Sequence, residues 1–157
     1  MPGSGGGREV ELAEPAGVRS CDTGGAWDAC RGPGARNSNY WMAEYEAMRR
    51  LCSEADGRLV KAELRSKMKR AEAGGLVFGK DRDVNRMNVC PIVLEIRIRK
   101  NIGTDDGDRV IRLYFSEPAH VDGLLLASKL GYKHPLGREE QDAHALEAGT
   151  RIQTFFA

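Results

Sequence analysis

Two neighbouring segments in the second half of the chain alternate apolar residues with positively charged ones. Arg97 and Arg99 lie in I-V-L-E-I-R-I-R-K (92–100), and Arg112 lies in R-V-I-R-L-Y-F (109–115). Successive side chains of a β-strand point to opposite faces of a sheet, so such strands can bury one face and expose the other. Guanidinium groups match phosphate with two parallel hydrogen bonds and can stabilise charge on a phosphorus-centred transition state. The spacing therefore predicts a hairpin with a basic, phosphate-binding face.

The basic face of the predicted hairpin has further candidates at its rim. Lys100 follows the first strand, and Lys129 has the spacing to join from a third strand. We expect Arg97, Arg99, Lys100 and Lys129 to bind an RNA backbone. The alternative is a solvated strand face, in which Glu95 pairs with an arginine across the strands. The buried face is expected to consist of Ile92, Leu94, Ile96, Ile98, Ile111, Leu113 and Phe115.

A phenol, an amine and an imidazole follow the third predicted strand in G-Y-K-H-P (131–135). Functional side chains are often found where strands end in loops. His134 could act as a general acid or base, Tyr132 as an acid and Lys133 as an electrostatic donor. The alternative is an ordinary polar loop before a helix.

The composition is that of a globular protein of one domain. The chain has 157 residues, of which 41% are hydrophobic and 30% are charged. No apolar run approaches the roughly 20 residues of a membrane-spanning helix. The N-terminus also lacks the basic-then-apolar pattern of a secretory signal. We therefore expect a cytoplasmic protein with no membrane partner.

Charge is distributed unevenly along the chain, although the net charge is only +1. Residues 58–100 contain twelve Lys and Arg against five Asp and Glu, whereas 1–57 and 101–157 each contain six against nine. Local fields, rather than net charge, steer a polyanionic partner. The distribution permits a localised phosphate-binding face and argues against a general nucleic-acid coat.

Signatures of several other chemistries are missing from the sequence. Four scattered cysteines form no C-x-x-C pair, which makes a disulfide framework or a metal site a weak hypothesis. There is no Gly-rich phosphate loop and no G-x-S-x-G or H-E-x-x-H motif. We expect no metal and no small-molecule cofactor.

The first 38 residues differ in composition from the rest of the chain. Gly, Pro, Ser and Asn dominate them, in M-P-G-S-G-G-G, T-G-G and R-G-P-G-A-R-N-S-N. Such a segment buries too little apolar surface to offset its ordering entropy, so we expect residues 1–38 to be a disordered extension. Its deletion should leave thermal stability nearly unchanged. A further hypothesis is that translation begins at Met42.

Residues 42–157 are predicted to form an α+β domain with two N-terminal helices, an antiparallel sheet of three to four strands and a C-terminal helix. Asp56-Gly57 is expected to separate the first two helices. The predicted elements are a helix over 42–55, a helix with an apolar stripe from Val60 to Ala71, a loop over 76–90, the hairpin, a central apolar strand over 124–130, and a helix from about Glu139 with Ala145, Ala148, Ile152 and Phe156 inward.

Four short segments occur in a characteristic order along this domain. They are L-E-I-R (94–97), I-R-L-Y-F (111–115), L-L-L-A-S-K-L-G-Y-K (124–133) and A-L-E-A-G-T-R-I-Q-T-F-F (145–156). Their order resembles the RelE/ParE/HigB superfamily of toxin–antitoxin systems, in particular its phage-derived, HigB-like branch. That family usually begins with a strand before its first helix, for which we expect only residues 38–42 to be available.

The resemblance implies a small ribonuclease that cuts mRNA on the ribosome and is neutralised by a cognate antitoxin. Basic residues, with Tyr or His, would activate a ribose 2′-hydroxyl against the adjacent phosphate. By position it implies these roles: phosphate binding by Arg97 and Arg99, transition-state stabilisation by Arg112, a basic role for Lys133, and acid or base catalysis by Tyr132 or His134. The alternatives are a non-catalytic binding module on the same fold, acting on gyrase or another protein, and an inactive relative.

Overall fold

A computed structural model describes residues 24–32 and 39–157. Over these residues the fold is α+β, as predicted, but its one sheet is mixed and has five strands, so the expected antiparallel sheet of three to four strands is wrong. The elements in chain order are β1 (Ala26–Ala29), α1 (Tyr40–Arg49), α2 (Glu54–Glu72), β2 (Val84–Arg86), β3 (Leu94–Thr104), β4 (Gly107–Ser116), β5 (Leu124–Lys133) and α3 (Arg138–Phe156).

The sheet lies between two helical layers. Its strand order is β1-β5-β4-β3-β2, in which β1 runs parallel to β5 and all other neighbours are antiparallel. On one face, α1 packs against β5 and α2 packs against β3; on the other face, α3 packs against β5 and β4. The helices thus bury both faces of the interior strands.

The predicted disorder of residues 1–38 is wrong for residues 24–32, which contain β1. The Ala26 N–H donates to the Gly123 carbonyl at 2.8 Å, and β1 pairs along its length with the first part of β5. The predicted domain boundary at residue 42 is therefore too late. The expectation that only residues 38–42 could supply a strand before the first helix is also wrong, because Tyr40 already lies in α1. The other parts of this block, 1–23 and 33–38, lie outside the described residues.

Trp27 attaches β1 to the rest of the domain. Its indole Nε1 donates to the Met68 carbonyl of α2 at 2.8 Å, and its ring centroid lies 5.3 Å from that of Phe115 in β4. Deletion of residues 1–38 would remove these contacts and one edge strand. We therefore reverse the expectation of unchanged thermal stability and expect a marked loss.

The first two helices begin at side-chain caps that shift their predicted limits. The Asn39 side chain accepts a hydrogen bond from the Met42 N–H at 2.9 Å, and the Ser53 hydroxyl accepts one from the Asp56 N–H at 3.1 Å. Such caps satisfy N–H groups that have no partner in the first helical turn. The break therefore falls before Ser53, and Asp56-Gly57 lies inside α2 rather than between the helices.

The later elements agree with the sequence more closely. The apolar strand is interior, as predicted, because β5 has β1 on one side and β4 on the other. The inward positions of α3 are also confirmed for Ala145, Ala148 and Ile152, whereas Phe156 is 38% exposed. The predicted loop over 76–90 contains the short edge strand β2, which pairs with β3.

Candidate phosphate-binding site

The sheet face that carries the arginines is partly covered by α3, so the prediction of an open basic face is wrong. Glu95 and Tyr114, both on that face, are 2% and 0% exposed. Gln141 of α3 donates from Nε2 to Glu95 Oε2 at 2.8 Å. The small residues Ala145 and Ala148 are fully buried, which allows the helix to approach the sheet closely.

Three of the predicted site residues nevertheless lie in a row across three strands of this face. Arg97 of β3 is directly opposite Arg112 of β4. Lys133 of β5 is opposite Val110, two residues along β4 from Arg112, and residues two apart on a strand share a face. We call Arg97, Arg112 and Lys133 the basic row.

Burial and mutual repulsion both act on the basic row. Burial lowers the pKa of the Arg112 guanidinium, and repulsion from Arg97 lowers that pKa further. Burial likewise lowers the pKa of the Lys133 ammonium, with repulsion from Arg112 as the next contribution. An anion bound here would relieve that repulsion, so the row favours a negatively charged ligand.

Two carboxylates compensate the basic row only in part. Glu95 Oε1 lies 3.8 Å from Arg112 Nε, so the cross-strand pairing that we considered as an alternative does occur. Yet Arg112 Nε is buried and has no hydrogen-bond partner within the described part of the chain. Arg97 Nη1 lies 3.5 Å from Asp81 Oδ1, but the Asp81 side chain is 76% exposed. Because ion pairs with so exposed a carboxylate are weak, a phosphate oxygen could replace Asp81 as the partner of Arg97.

His134 lies beside the basic row and is oriented by a carboxylate. Its Nδ1 is 2.8 Å from Glu140 Oε1, and the Lys133 ammonium donates to its backbone carbonyl at 3.3 Å. The hydrogen bond from His134 is the main reason that the pKa of Glu140 is lowered. The imidazole is 55% exposed, and Nε2 is thus the ring nitrogen with which it could exchange a proton with a substrate.

Tyr132 is not part of this site. It is opposite Ile111 and packs against the core beneath α1 and α2, on the other face of the sheet from Lys133. Adjacent residues of a strand point to opposite faces, so Tyr132 and Lys133 cannot act on one group together. The prediction of Tyr132 as a catalytic acid is therefore wrong for this arrangement.

Arg99 and Lys100 leave the basic face because β3 is irregular after Ile98. The pairing with β4 shifts between Ile98 and Ile102. Glu63 of α2 accepts hydrogen bonds from two N–H groups of this bulge, from Arg99 at 2.5 Å and from Lys100 at 2.9 Å. The Lys100 ammonium pairs with Asp56 of α2 at 3.1 Å. Neither residue joins the basic row.

Lys129 is held in a network of side chains between α1 and α3. Its ammonium lies 2.9 Å from Glu44 Oε2 and 3.1 Å from Glu147 Oε1, and Arg151 contacts the same two carboxylates. The lysine side chain is only 11% exposed. Its predicted role in RNA binding is therefore wrong, and its role is to join two helices across the end of the sheet.

The structure adds residues that the sequence did not single out for the site. Glu140 and Gln141 come from the first turns of α3, and Asp81 comes from the loop before β2. Asp81 and Gln141 lie far along the chain from the strand residues they contact, Arg97 and Glu95. Glu140 is only six residues from His134, and it alone had a local signal, as an acid at a predicted helix start.

The contacts of Glu63 predict a pH dependence of stability. Burial by itself raises the pKa of Glu63, but the hydrogen bonds from the Arg99 and Lys100 N–H groups and from Lys67 outweigh it, so the pKa is lowered. The resulting stabilisation is present above the unfolded pKa and is lost as pH falls through the folded one. We expect the free energy of unfolding to fall between about pH 5 and pH 3. Urea unfolding at a series of pH values should show a shallower fall for Glu63→Gln, and no such change for the exposed Glu54→Gln.

Comparisons with protein-family models, with curated proteins and with solved structures found no match. None of the three described helices is both long enough and apolar enough to cross a membrane. Over residues 24–32 and 39–157, no three His, Cys, Asp or Glu side chains come together in a way that could hold a metal ion.

Proposed function

We propose that this protein is a RelE/HigB-like toxin of a type II toxin–antitoxin system, a cytoplasmic endoribonuclease that cleaves mRNA on the ribosome and is neutralised by a cognate antitoxin. The order of elements supports the proposal. β1 supplies a strand before the first helix, which that family usually has, and two helices, the β3–β4 hairpin, β5 and α3 follow it.

The observation that carries the proposal is the basic row. Three cations from three adjacent strands lie on one face, and their repulsion is compensated only in part by Glu95 and Asp81. A protein gains no stability from holding like charges together at a half-buried surface. A phosphate group would bring the missing negative charge, and guanidinium groups suit its geometry.

The same arrangement suits cleavage of RNA by its own 2′-hydroxyl. In that reaction the 2′-hydroxyl loses a proton to a base, its oxygen bonds to phosphorus, the bond from phosphorus to the 5′-oxygen breaks, and that oxygen takes up a proton. The basic row would hold the phosphate and stabilise the charge that develops on its oxygens. His134, oriented by Glu140, is the candidate for proton transfer beside it.

The test is RNA cleavage by the purified protein and growth of cells that express it with and without the neighbouring gene. We expect growth arrest with mRNA cleavage, and a loss of about 100-fold or more in cleavage rate for Arg97→Ala and Arg112→Ala. His134→Ala should also lose cleavage and should flatten its pH profile. Arg58→Ala, an exposed arginine on α2 on the opposite side of the sheet, is the matched control and should retain wild-type activity.

The control measurements separate loss of chemistry from loss of fold. Arg112→Ala leaves the buried Glu95 hydrogen-bonded to Gln141 but without its ion-pair partner, so each variant is first checked by circular dichroism and thermal unfolding. Arg97 and His134 are more exposed, and their variants should fold normally. Arrest without RNA cleavage would support a non-catalytic binding module acting on gyrase or another protein, and would reject the nuclease. No arrest and no cleavage would indicate an inactive relative.

A further inference from the structure

A polar cavity of about 410 Å³ lies next to the basic row, between β2, the turn that follows it and the start of α3. The basic row does not line it, and no step of the proposed cleavage uses it. Its volume falls within the range of small-ligand sites. Apart from one carboxylate, the polar side chains that line it are cations and amides, and each of these two kinds indicates a feature of the ligand.

The cations of the cavity outnumber its carboxylates, so its positive charge is compensated only in part. Lys80, Arg86 and Arg138 line the cavity together with one carboxylate, Asp142. Over residues 24–32 and 39–157, none of these three cations forms an ion pair with a carboxylate, and Arg86 Nε is buried without a hydrogen-bond partner. The cavity therefore favours an anion, with more than one donor in reach of it.

The amides of the cavity retain donors and acceptors for a neutral polar group. Asn85 uses its Oδ1 to accept from the Arg86 N–H at 3.0 Å, which leaves its Nδ2 donor. Gln141 uses its Nε2 to donate to Glu95, which leaves its Oε1 acceptor. Asn88, which is exposed, adds a third amide. Side-by-side donors and acceptors of this kind recognise the edge of a nucleic-acid base.

A planar cation completes the cavity. The Arg86 guanidinium lies over the Phe78 ring, with its central carbon 5.7 Å from the ring centroid. This contact restricts the movement of the guanidinium, and unstacked bases of single-stranded RNA stack on guanidinium planes. An acidic peptide would engage the cations but would have no use for a planar group flanked by amides.

A short chain of side-chain contacts connects the lining of the cavity to the basic row. Gln141 lines the cavity and contacts Glu95, and Glu95 contacts Arg112. We propose that this cavity is a nucleotide subsite, which binds the base and phosphate of the single-stranded RNA residue next to the phosphate held by the basic row. The assignment of RNA as the source of that nucleotide rests on the proposed function; the binding of a nucleotide does not.

The test is direct binding of the four nucleoside 3′-monophosphates and of inorganic phosphate to the intact protein, by isothermal titration calorimetry at low salt. We expect at least one nucleotide to bind about tenfold more tightly than phosphate. Arg138→Ala should weaken binding of both ligands about tenfold. Asn88→Ala should remove the advantage of the nucleotide over phosphate and leave phosphate binding unchanged. Arg58→Ala and Asn101→Ala are exposed controls of matched chemistry and should bind as the wild type does.

The outcomes separate this inference from the proposed nuclease. Nucleotide binding that depends on Arg138 and Asn88, in a protein that cleaves no RNA, would support the subsite and reject the nuclease. RNA cleavage by a protein that binds nucleotides no better than phosphate would reject the subsite and leave the nuclease standing. Tighter binding of an Asp- and Glu-rich peptide than of any nucleotide would also overturn the subsite.

Discussion

Replacement of Gly25 by alanine is expected to lower the free energy of unfolding by about 3 kcal/mol. Gly25 has a φ of +156°, a conformation that L side chains rarely adopt. A Cβ at this position would collide with the backbone carbonyl of Gly123, which accepts the Ala26 hydrogen bond that begins the pairing of β1 with β5. Because the added Cβ would meet backbone atoms, no flexible side chain can move aside to relieve the collision. Urea unfolding followed by tryptophan fluorescence would measure the loss.

A second glycine provides the control for Gly25. Gly103 near the end of β3 has no positive φ, and the nearest atom to an added Cβ, Asp108 Oδ1, is 3.9 Å away. Gly103→Ala is therefore expected to change the free energy of unfolding by less than about 0.5 kcal/mol. Equal effects at the two positions would contradict the placement of β1 against Gly123.

Loss of Lys67 is expected to destabilise the protein by about 3 to 4 kcal/mol. Its side chain is 6% exposed, its ammonium lies 3.1 Å from Glu63 and 3.6 Å from Asp83, and it donates to the Arg97 carbonyl. Lys67→Ala removes the cation that two largely buried carboxylates share. Glu63 then loses its ion-pair partner, and Asp83 keeps its ion pair with Arg70. Thermal and urea unfolding of Lys67→Ala would measure the effect.

A variant of the neighbouring lysine tests whether the effect belongs to this network. Lys69 is on the same helix but is exposed, so Lys69→Ala should be close to the wild type in stability. Because burial of Glu63 and Asp83 by itself raises their pKa values, removal of Lys67 should move both upwards. The free energy of unfolding of Lys67→Ala should consequently fall less steeply with acid than that of the wild type, so the difference between the two proteins should become smaller at acid pH. A variant as stable as the wild type at neutral pH would contradict the buried network.

Much of the domain from α2 onwards could be predicted from periodicity, because each element is long enough to repeat its pattern. β1 could not, since Ala26–Ala29 is four residues long and lies among glycines. The glycines before β1 allow its backbone to lie close to other backbone. Composition alone does not distinguish glycines with this role from the glycines of a disordered segment. The limits of α1 and α2 were missed for another local reason. The Ser53 cap begins α2 before Asp56-Gly57, so the helix continues through a pair of residues that usually marks a break.

The candidate site was predicted in part, and the errors follow from strand geometry. Alternation correctly placed Arg97 and Arg112 on one face. It placed Arg99 there wrongly. A bulge changes the pairing of β3 with β4 after Ile98, and the alternating pattern of the sequence does not reveal it. A second irregularity in the pairing of β4 with β5 lies beside Lys129. That α3 would cover Glu95 and Tyr114 was not evident, since polar residues at alternate positions normally indicate solvent.

The parallel pairing of β1 with β5 has a consequence for synthesis of the chain. β1 leaves the ribosome before the other described elements, but its only strand neighbour within the described residues, β5, follows about 100 residues later. At ordinary elongation rates that interval is about 5 to 20 s. For about the first half of it, the Trp27 side chain has neither α2 nor the rest of the sheet to pack against, since its partner Met68 follows 41 residues later. Completion of the sheet is therefore a late event that joins two distant ends of the domain, and contacts so distant in sequence form slowly.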